Sequence, residues 1–193
     1  RGTIGNFPGE NLTPLDIVKF TSAYSVFLQE KNDINERITV IVGRDARVSG
    51  EMLSSLVCAT LNSMGIDVIN IGLSTTPTVE MEVLHSNAKG GIIITASHNP
   101  FQWNALKFVN EKGEFLSAAE GEYILNISEI ENFKFSEVDK LGSISIKENA
   151  IEQHIKHILD LNLVDVDVIK KRNFKIVIDC VHSTGGLALP PLL

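Results

Sequence analysis

The sequence predicts an α/β protein, a mixed and mainly parallel sheet with helices on both faces. Three short apolar runs rich in β-branched residues, at 38–42, 66–71 and 90–95, each end at a glycine or a polar loop. The stretches between them repeat apolar residues at helical spacing. A strand, helix, strand, helix, strand order with such short connections is the pattern of parallel strands joined by crossover helices.

The elements follow in order. Thr13 and then Pro14 supply a capping side chain and a proline at the first helical position, where its missing N–H costs nothing. Ile17, Phe20, Tyr24, Phe27 and Leu28 then share one helical face, and the helix is expected to end near Lys31. The first β-branched run, 38–42, closes at Gly43 and opens into Arg44-Asp45-Ala46-Arg47. Ser49 is the expected cap of the next helix, with Leu53, Leu56, Val57, Thr60, Leu61 and Met64 facing inward and Gly65 ending it. After the second strand, Thr76-Pro77 reads as another cap-plus-proline start, for a helix running to about Asn87.

Beyond the third strand, 104–109, the turn Glu111-Lys112-Gly113 and 114–116 read as a hairpin added to the sheet. Ser117-Ala118-Ala119-Glu120 is a capping box for a helix through about Ile130. Residues 131–146 are mixed, with one short strand at 143–146, and mark the expected boundary between a first domain, 1–145, and the beginning of a second, 146–193. In that second part, Ile151, Ile155, Ile158 and Leu159 predict an amphipathic helix and 166–171 a short one. A further buried strand is expected at 174–180, with the loop His182-Ser183-Thr184-Gly185-Gly186 after it.

Composition narrows the function classes. A chain of 193 residues, 44% hydrophobic and 21% charged, has ample sequence for a core. Its 17 basic against 24 acidic residues leave a net charge of -7, which disfavours nucleic acids and anionic lipid surfaces as partners. Cys58 and Cys180 sit in apolar stretches with no paired spacing, as suits a reducing, cytoplasmic setting. No apolar run approaches the roughly 20 residues needed to cross a bilayer, and no charged leader precedes an apolar stretch, so neither a membrane span nor an export signal is expected. The chain starts at Arg1 and stops at Pro190-Pro191-Leu192-Leu193, just after a strand-like run, and so reads as part of a longer protein.

Parallel sheets of this kind bind ligands at the loops leaving the carboxyl ends of their strands, here those after Val42, Ile71 and Thr95. The last of them is Thr95-Ala96-Ser97-His98-Asn99-Pro100, where Asn-Pro favours a turn and the proline stiffens the loop that presents Ser97. Taken alone, this loop is either a polar turn or the seat of a nucleophile. A serine hydrolase is disfavoured, because there is no G-x-S-x-G elbow and adjacent side chains such as Ser97 and His98 diverge.

The stretch from Gly90 to Lys107, with T-A-S-H-N-P followed by N-A-L-K, resembles the phosphoserine loop of the α-D-phosphohexomutase family. That family includes phosphoglucomutase/phosphomannomutase and phosphoglucosamine mutase. Three more segments share the likeness: Arg1-Gly2-Thr3-Ile4-Gly5 with Leu12-Thr13-Pro14, the run Val42 to Ser49, and Thr76-Pro77-Thr78. The resemblance spans the chain, with 1–145 as the family's first domain and the remainder as the opening of its second.

The resemblance implies that Ser97 is carried as a phosphoserine and interconverts hexose 1-phosphate and hexose 6-phosphate through a hexose 1,6-bisphosphate. It implies Mg²⁺ on the phosphate of Ser97, with the other ligands lying later in the family's sequence. His98 would orient the sugar hydroxyls or the phosphate, Lys107 would assist proton transfer or stabilise developing charge, and Arg1 would face the phosphate. Implied partners are the phosphosugar substrate and the remaining domains of the parent chain, without which the segment is expected to be inactive. Glucose, mannose and glucosamine phosphates all remain open as substrates, and a non-catalytic phosphosugar-binding module is the alternative of another class.

Other residues are read more locally. Among Arg44, Asp45 and Arg47 a structural ion pair fixing the loop is expected. Ala105 stands where the family usually has glycine, which requires a backbone there that tolerates a Cβ. His154 and His157, three apart on a helix, read as a surface or interdomain face rather than a metal site.

Overall fold

The computed structural model describes residues 1–5, 7, 10–33 and 36–193. Along the chain run β1 (Gly2–Thr3), α1 (Pro14–Lys31), β2 (Thr39–Arg44), α2 (Gly50–Ser63), β3 (Asp67–Leu73), α3 (Thr76–His85) and β4 (Gly90–Ile94). They are followed by β5 (Trp103–Asn104), β6 (Leu106–Val109), α4 (Ala118–Ile130), β7 (Ile144–Ile146), α5 (Ala150–Leu159), α6 (Val166–Arg172) and α7 (Gly185–Leu192).

Five strands form one sheet in the order β6-β4-β2-β3-β7. β2 lies parallel to both β3 and β4, β7 adds to β3 in parallel, and β6 returns antiparallel along β4. The β-branched runs are buried on both faces because helices cover both. Val40, Val42, Val68, Ile92 and Ile94 pack with α1, α2 and α4, whereas Ile41, Ile71, Ile93 and Val109 pack with α3 and Ala150 of α5. The expected α/β architecture is therefore the observed one.

Local signals set several element ends. Thr13 and Asp16 form a reciprocal capping box at α1, and Ser117 and Glu120 form another at α4. Two expected caps differ. Ser49 makes no cap bond to α2, and its hydroxyl instead accepts from Asn104 Nδ2 at 2.9 Å, a partner offered by the distant β5. Thr75, not Thr76, caps α3, accepting from the Thr78 N–H at 3.3 Å and placing Pro77 one position further in.

The hairpin is reduced to β6 and a single bridge between Val109 and Phe115. The expected buried strand at 174–180 is not formed. Phe174, Ile176 and Val177 are exposed, Val177 at 99%, and that run joins neither sheet. Its composition suits a strand buried on both faces, but such a run needs neighbouring strands to take up its backbone N–H and C=O groups, and none among the described residues pairs with it.

The edge at β7 is fixed by polar bonds. Asp67 accepts from Arg37 Nε at 2.7 Å and from both the N–H and the hydroxyl of Ser143 at 2.6 Å. These donors, Arg37 foremost, hold the Asp67 carboxyl down at about 2 despite partial burial. Next to β7, Lys147 Nζ lies 2.7 Å from Glu82 of α3, whose carboxylate is only 2% exposed.

Candidate functional site

The carboxyl ends of β2, β3 and β4 converge on a cavity of about 400 Å³. Asp45 lines it from the loop after β2, Ser74 and Thr75 from the loop after β3, and Thr95, Ser97 and His98 from the loop after β4. Val181, Ser183 and Thr184 form its far wall. These are the three loops that the sheet pattern singled out. Gly43, at the end of β2, allows them to close together, because a Cβ there would lie 2.3 Å from Ser74 Oγ and 2.5 Å from Val79 Cγ2.

Ser97 occupies left-handed backbone, φ 54°. For a residue with a Cβ that conformation costs about 1–2 kcal/mol, so the surrounding structure must hold it. Its N–H donates to Thr95 Oγ1 at 3.1 Å and its C=O accepts from Arg47 Nη2 at 2.8 Å. Asn99 closes the turn, its N–H at 3.1 Å and its Nδ2 at 2.8 Å donating to the Ala96 carbonyl. Ser97 and His98 are exposed at the cavity mouth.

The expected ion pair is Asp45–Arg47, Nε to Oδ2 at 3.2 Å, with side chains only 14% and 11% exposed. Arg44 does not share it and donates instead to the Asp45 carbonyl at 3.2 Å. Arg47 does much more than its sequence context indicates. Nη1 donates to the carbonyls of Pro100 at 2.7 Å and Trp103 at 3.0 Å, while Nη2 donates to those of Ser97 at 2.8 Å and Asn99 at 2.7 Å. All five N–H donors of the guanidinium are thereby used. Asp45 in turn accepts from the Arg47 N–H at 3.0 Å and from the Thr95 hydroxyl at 2.6 Å. No sequence signal connects Arg47 to carbonyls some fifty positions away.

Arg1 directly precedes β1, whose Gly2 pairs with Asn104 while Ile4 N–H donates to the Gln102 carbonyl at 2.8 Å. The N-terminal segment is thus sewn to the returning arm of the serine loop. Arg1 itself is exposed.

Lys107 sits on β6 opposite Ile93, with Nζ 5.7 Å from the centroid of the Phe115 ring. It does not line the cavity. Its charge is felt by Glu80 of α3, where burial pushes the carboxyl up and Lys107 opposes that shift. Ala105 is not among the described residues with left-handed backbone, so its Cβ is accommodated, and its carbonyl accepts from Thr95 N–H at 3.1 Å.

His154 and His157 lie on the side of α5 that meets α3, with His154 half-buried and His157 still exposed. His154 Nδ1 is 3.1 Å from Thr78 Oγ1, which is itself 2.7 Å from the hydroxyl of the cavity residue Thr75. His157 stacks on His85 with ring centroids 3.8 Å apart. Burial first, and then the neighbouring imidazoles, hold both His85 and His154 below the ordinary histidine value.

The described residues contain no group of three His, Cys, Asp or Glu placed to hold a metal ion. Asp45, the carboxylate beside Ser97, is already engaged by Arg47 and Thr95. These side chains do not by themselves make a Mg²⁺ site. No helix among the described residues is long and apolar enough to cross a membrane.

Comparison with known proteins adds to this geometry. The family model described as phosphoglucomutase/phosphomannomutase, alpha/beta/alpha domain I, matches residues 1–135. A phosphoglucomutase/phosphomannomutase of Thermococcus kodakarensis is 38% identical over 100% of this chain and 41% of its own length. A phosphoglucosamine/phosphogalactosamine mutase of Sulfurisphaera tokodaii is 32% identical over 94% of this chain and 38% of its own. The crystal structure of a phosphoglucomutase/phosphomannomutase family protein from Burkholderia thailandensis superposes with a TM-score of 0.66, covering 80% of this chain and 33% of that one at 21% identity, a likeness of fold. The chain thus spans about two fifths of the length of these two sequence relatives.

Proposed function

The chain belongs to the phosphoglucomutase/phosphomannomutase family through that family's domain I, and from this we propose that it carries the phosphate-bearing serine of a hexose-phosphate mutase. The observation that carries the reading is Ser97 itself. It is exposed at the carboxyl end of β4, held in left-handed backbone by bonds to both its N–H and its C=O, and opens onto a cavity shared by three strand-end loops.

In the proposed reaction, phospho-Ser97 transfers its phosphoryl group to a hydroxyl of a hexose monophosphate. The bond between phosphorus and Ser97 Oγ breaks, one to the sugar oxygen forms, and the proton of that hydroxyl ends on the released Ser97 Oγ. The resulting 1,6-bisphosphate returns its other phosphate to Ser97. Such transfer asks the protein mainly for positioning and electrostatic stabilisation, which a fixed serine on a rigid loop suits.

His98, at the same cavity mouth, is proposed to orient the sugar hydroxyls or the phosphate. Arg1 and Lys107 are proposed to serve the phosphate and the proton transfer respectively, each by moving its exposed or half-exposed side chain toward Ser97. Mg²⁺ is proposed to meet this chain only through the phosphate on Ser97, where it would offset negative charge. The relatives' names divide between glucose/mannose and glucosamine-type phosphates, and both stay within the proposed substrate class. The 193-residue segment by itself is expected to show no turnover.

The test is intact mass with phosphopeptide mapping on the full-length protein, before and after incubation with glucose 1,6-bisphosphate and Mg²⁺. One added phosphate on Ser97, lost together with mutase activity in Ser97→Ala, is the expected result. A Ser97 unmodified under both conditions would overturn the reading and leave a phosphosugar-binding module in its place.

A further inference from the structure

Arg47 stands out because a half-buried guanidinium beside a phosphate-transfer site would ordinarily be read as a phosphate ligand. Here it has nothing left to give a phosphate. Its five N–H donors go to the Asp45 carboxylate and to the carbonyls of Ser97, Asn99, Pro100 and Trp103, all at 2.7–3.2 Å. The group therefore lies behind the serine loop, gripping its backbone. A planar fork with fixed donor directions can gather four carbonyls from one turn, whereas the three-donor ammonium of lysine cannot.

The same network reaches Ser97 from its other side. Asp45 accepts from the Thr95 hydroxyl at 2.6 Å, and Thr95 Oγ1 accepts the Ser97 N–H at 3.1 Å. Both backbone polar atoms of Ser97 are thus tied, directly or through two intermediates, to one guanidinium. The residue so tied is the one in strained left-handed backbone, φ 54°.

Resting on the phosphoserine reading above, we propose that Arg47, acting through Asp45 and Thr95, is a positioning residue that sets the direction of Ser97 Oγ for phosphoryl transfer without touching the phosphosugar. Its loss should then slow transfer and leave binding alone. A ligand role would do the reverse.

The experiment measures transfer from glucose 1,6-bisphosphate to dephosphorylated Ser97 in the full-length protein, by rapid quench and intact mass, as a function of bisphosphate concentration. In this step a sugar O–P bond breaks, a bond from phosphorus to Ser97 Oγ forms, and the serine proton ends on the sugar oxygen. Arg47→Lys is expected to lower the maximal transfer rate about 100-fold, the scale of an ångström-level misplacement, with the half-saturating concentration little changed. Thr95→Val, which removes the hydroxyl that links Asp45 to the Ser97 N–H and leaves the Arg47 grip on the loop carbonyls in place, should show the same split with a smaller fall. Arg37→Lys, in the remote pair with Asp67, should transfer at the parent rate.

A folded Arg47→Lys protein that transfers near the parent rate, or whose deficit lies in the half-saturating concentration, overturns the proposal. If Arg47→Lys does not fold, Thr95→Val decides by the same criteria. A parent protein that takes up no phosphate on Ser97 overturns the phosphoserine reading itself, a result distinct from a parent that is phosphorylated and variants that are unimpaired.

Discussion

Lys147→Met tests how the β7 edge is held to α3. The Glu82 carboxylate is 2% exposed, and two donors reach Oε1: Lys147 Nζ at 2.7 Å and the Ser86 hydroxyl. Methionine keeps most of the aliphatic length of lysine but leaves the buried carboxylate without its cation. Breaking a fully buried pair in this way costs about 3–5 kcal/mol. Because the Lys147 side chain is 25% exposed, water can partly replace the ammonium, and we expect about 2–3 kcal/mol.

With a urea m-value on the order of 2 kcal/mol/M, that loss moves the unfolding midpoint down by about 1 M. Far-UV circular dichroism and the fluorescence of Trp103, the single tryptophan, would follow the transition. The loss should come from the uncompensated charge. Lys147→Met combined with Glu82→Gln should therefore recover most of the stability. A single variant within about 0.5 kcal/mol of the parent, or a double variant no better than the single, would refute the reasoning.

Two further predictions concern the core and the histidines. A Cβ at Gly90 would meet Tyr24 Oη at 2.0 Å and the Val109 carbonyl at 2.8 Å, and Tyr24 Oη donates to that carbonyl at 2.8 Å. Gly90→Ala should therefore destabilise strongly, Tyr24→Phe by about 1 kcal/mol, and the double variant by less than the sum; additive urea-unfolding losses would contradict this. His85 and His154 are both held below the ordinary histidine value of 6.5. Between that value and their lower folded-state values the unfolded chain binds more protons, so stability is full above about pH 6.5 and declines as pH falls through the folded-state values. Thermal midpoints should drop over that range, and a slope that His85→Gln with His154→Gln leaves unchanged would count against it.

Much of the fold is legible because its signals are local. Thr13 with Asp16 and Ser117 with Glu120 act within one helical turn, and the runs 38–42, 66–71 and 90–95 are mainly apolar because both sheet faces are covered. The serine loop is legible for the same reason, as a short contiguous pattern at a strand end. Signals fail where the partner is distant or missing. Ser49 gives its hydroxyl to Asn104, His157 finds His85, and the strand-like run at 174–180 has no neighbour among the described residues to pair with.

What the sequence determined by itself, then, is the alternation of strands and helices and the placement of Ser97 after the third apolar run. These follow from side-chain periodicity and from capping geometry spanning three or four residues. Only the tertiary structure decided that Arg47 grips the loop carrying Ser97, that Lys107 lies by Phe115 outside the cavity, and that α5 turns its histidines onto α3. The physical reason is the crossover order β4-β2-β3: it brings loops some fifty residues apart to one sheet end, where hydrogen bonds form according to position in space rather than spacing along the chain.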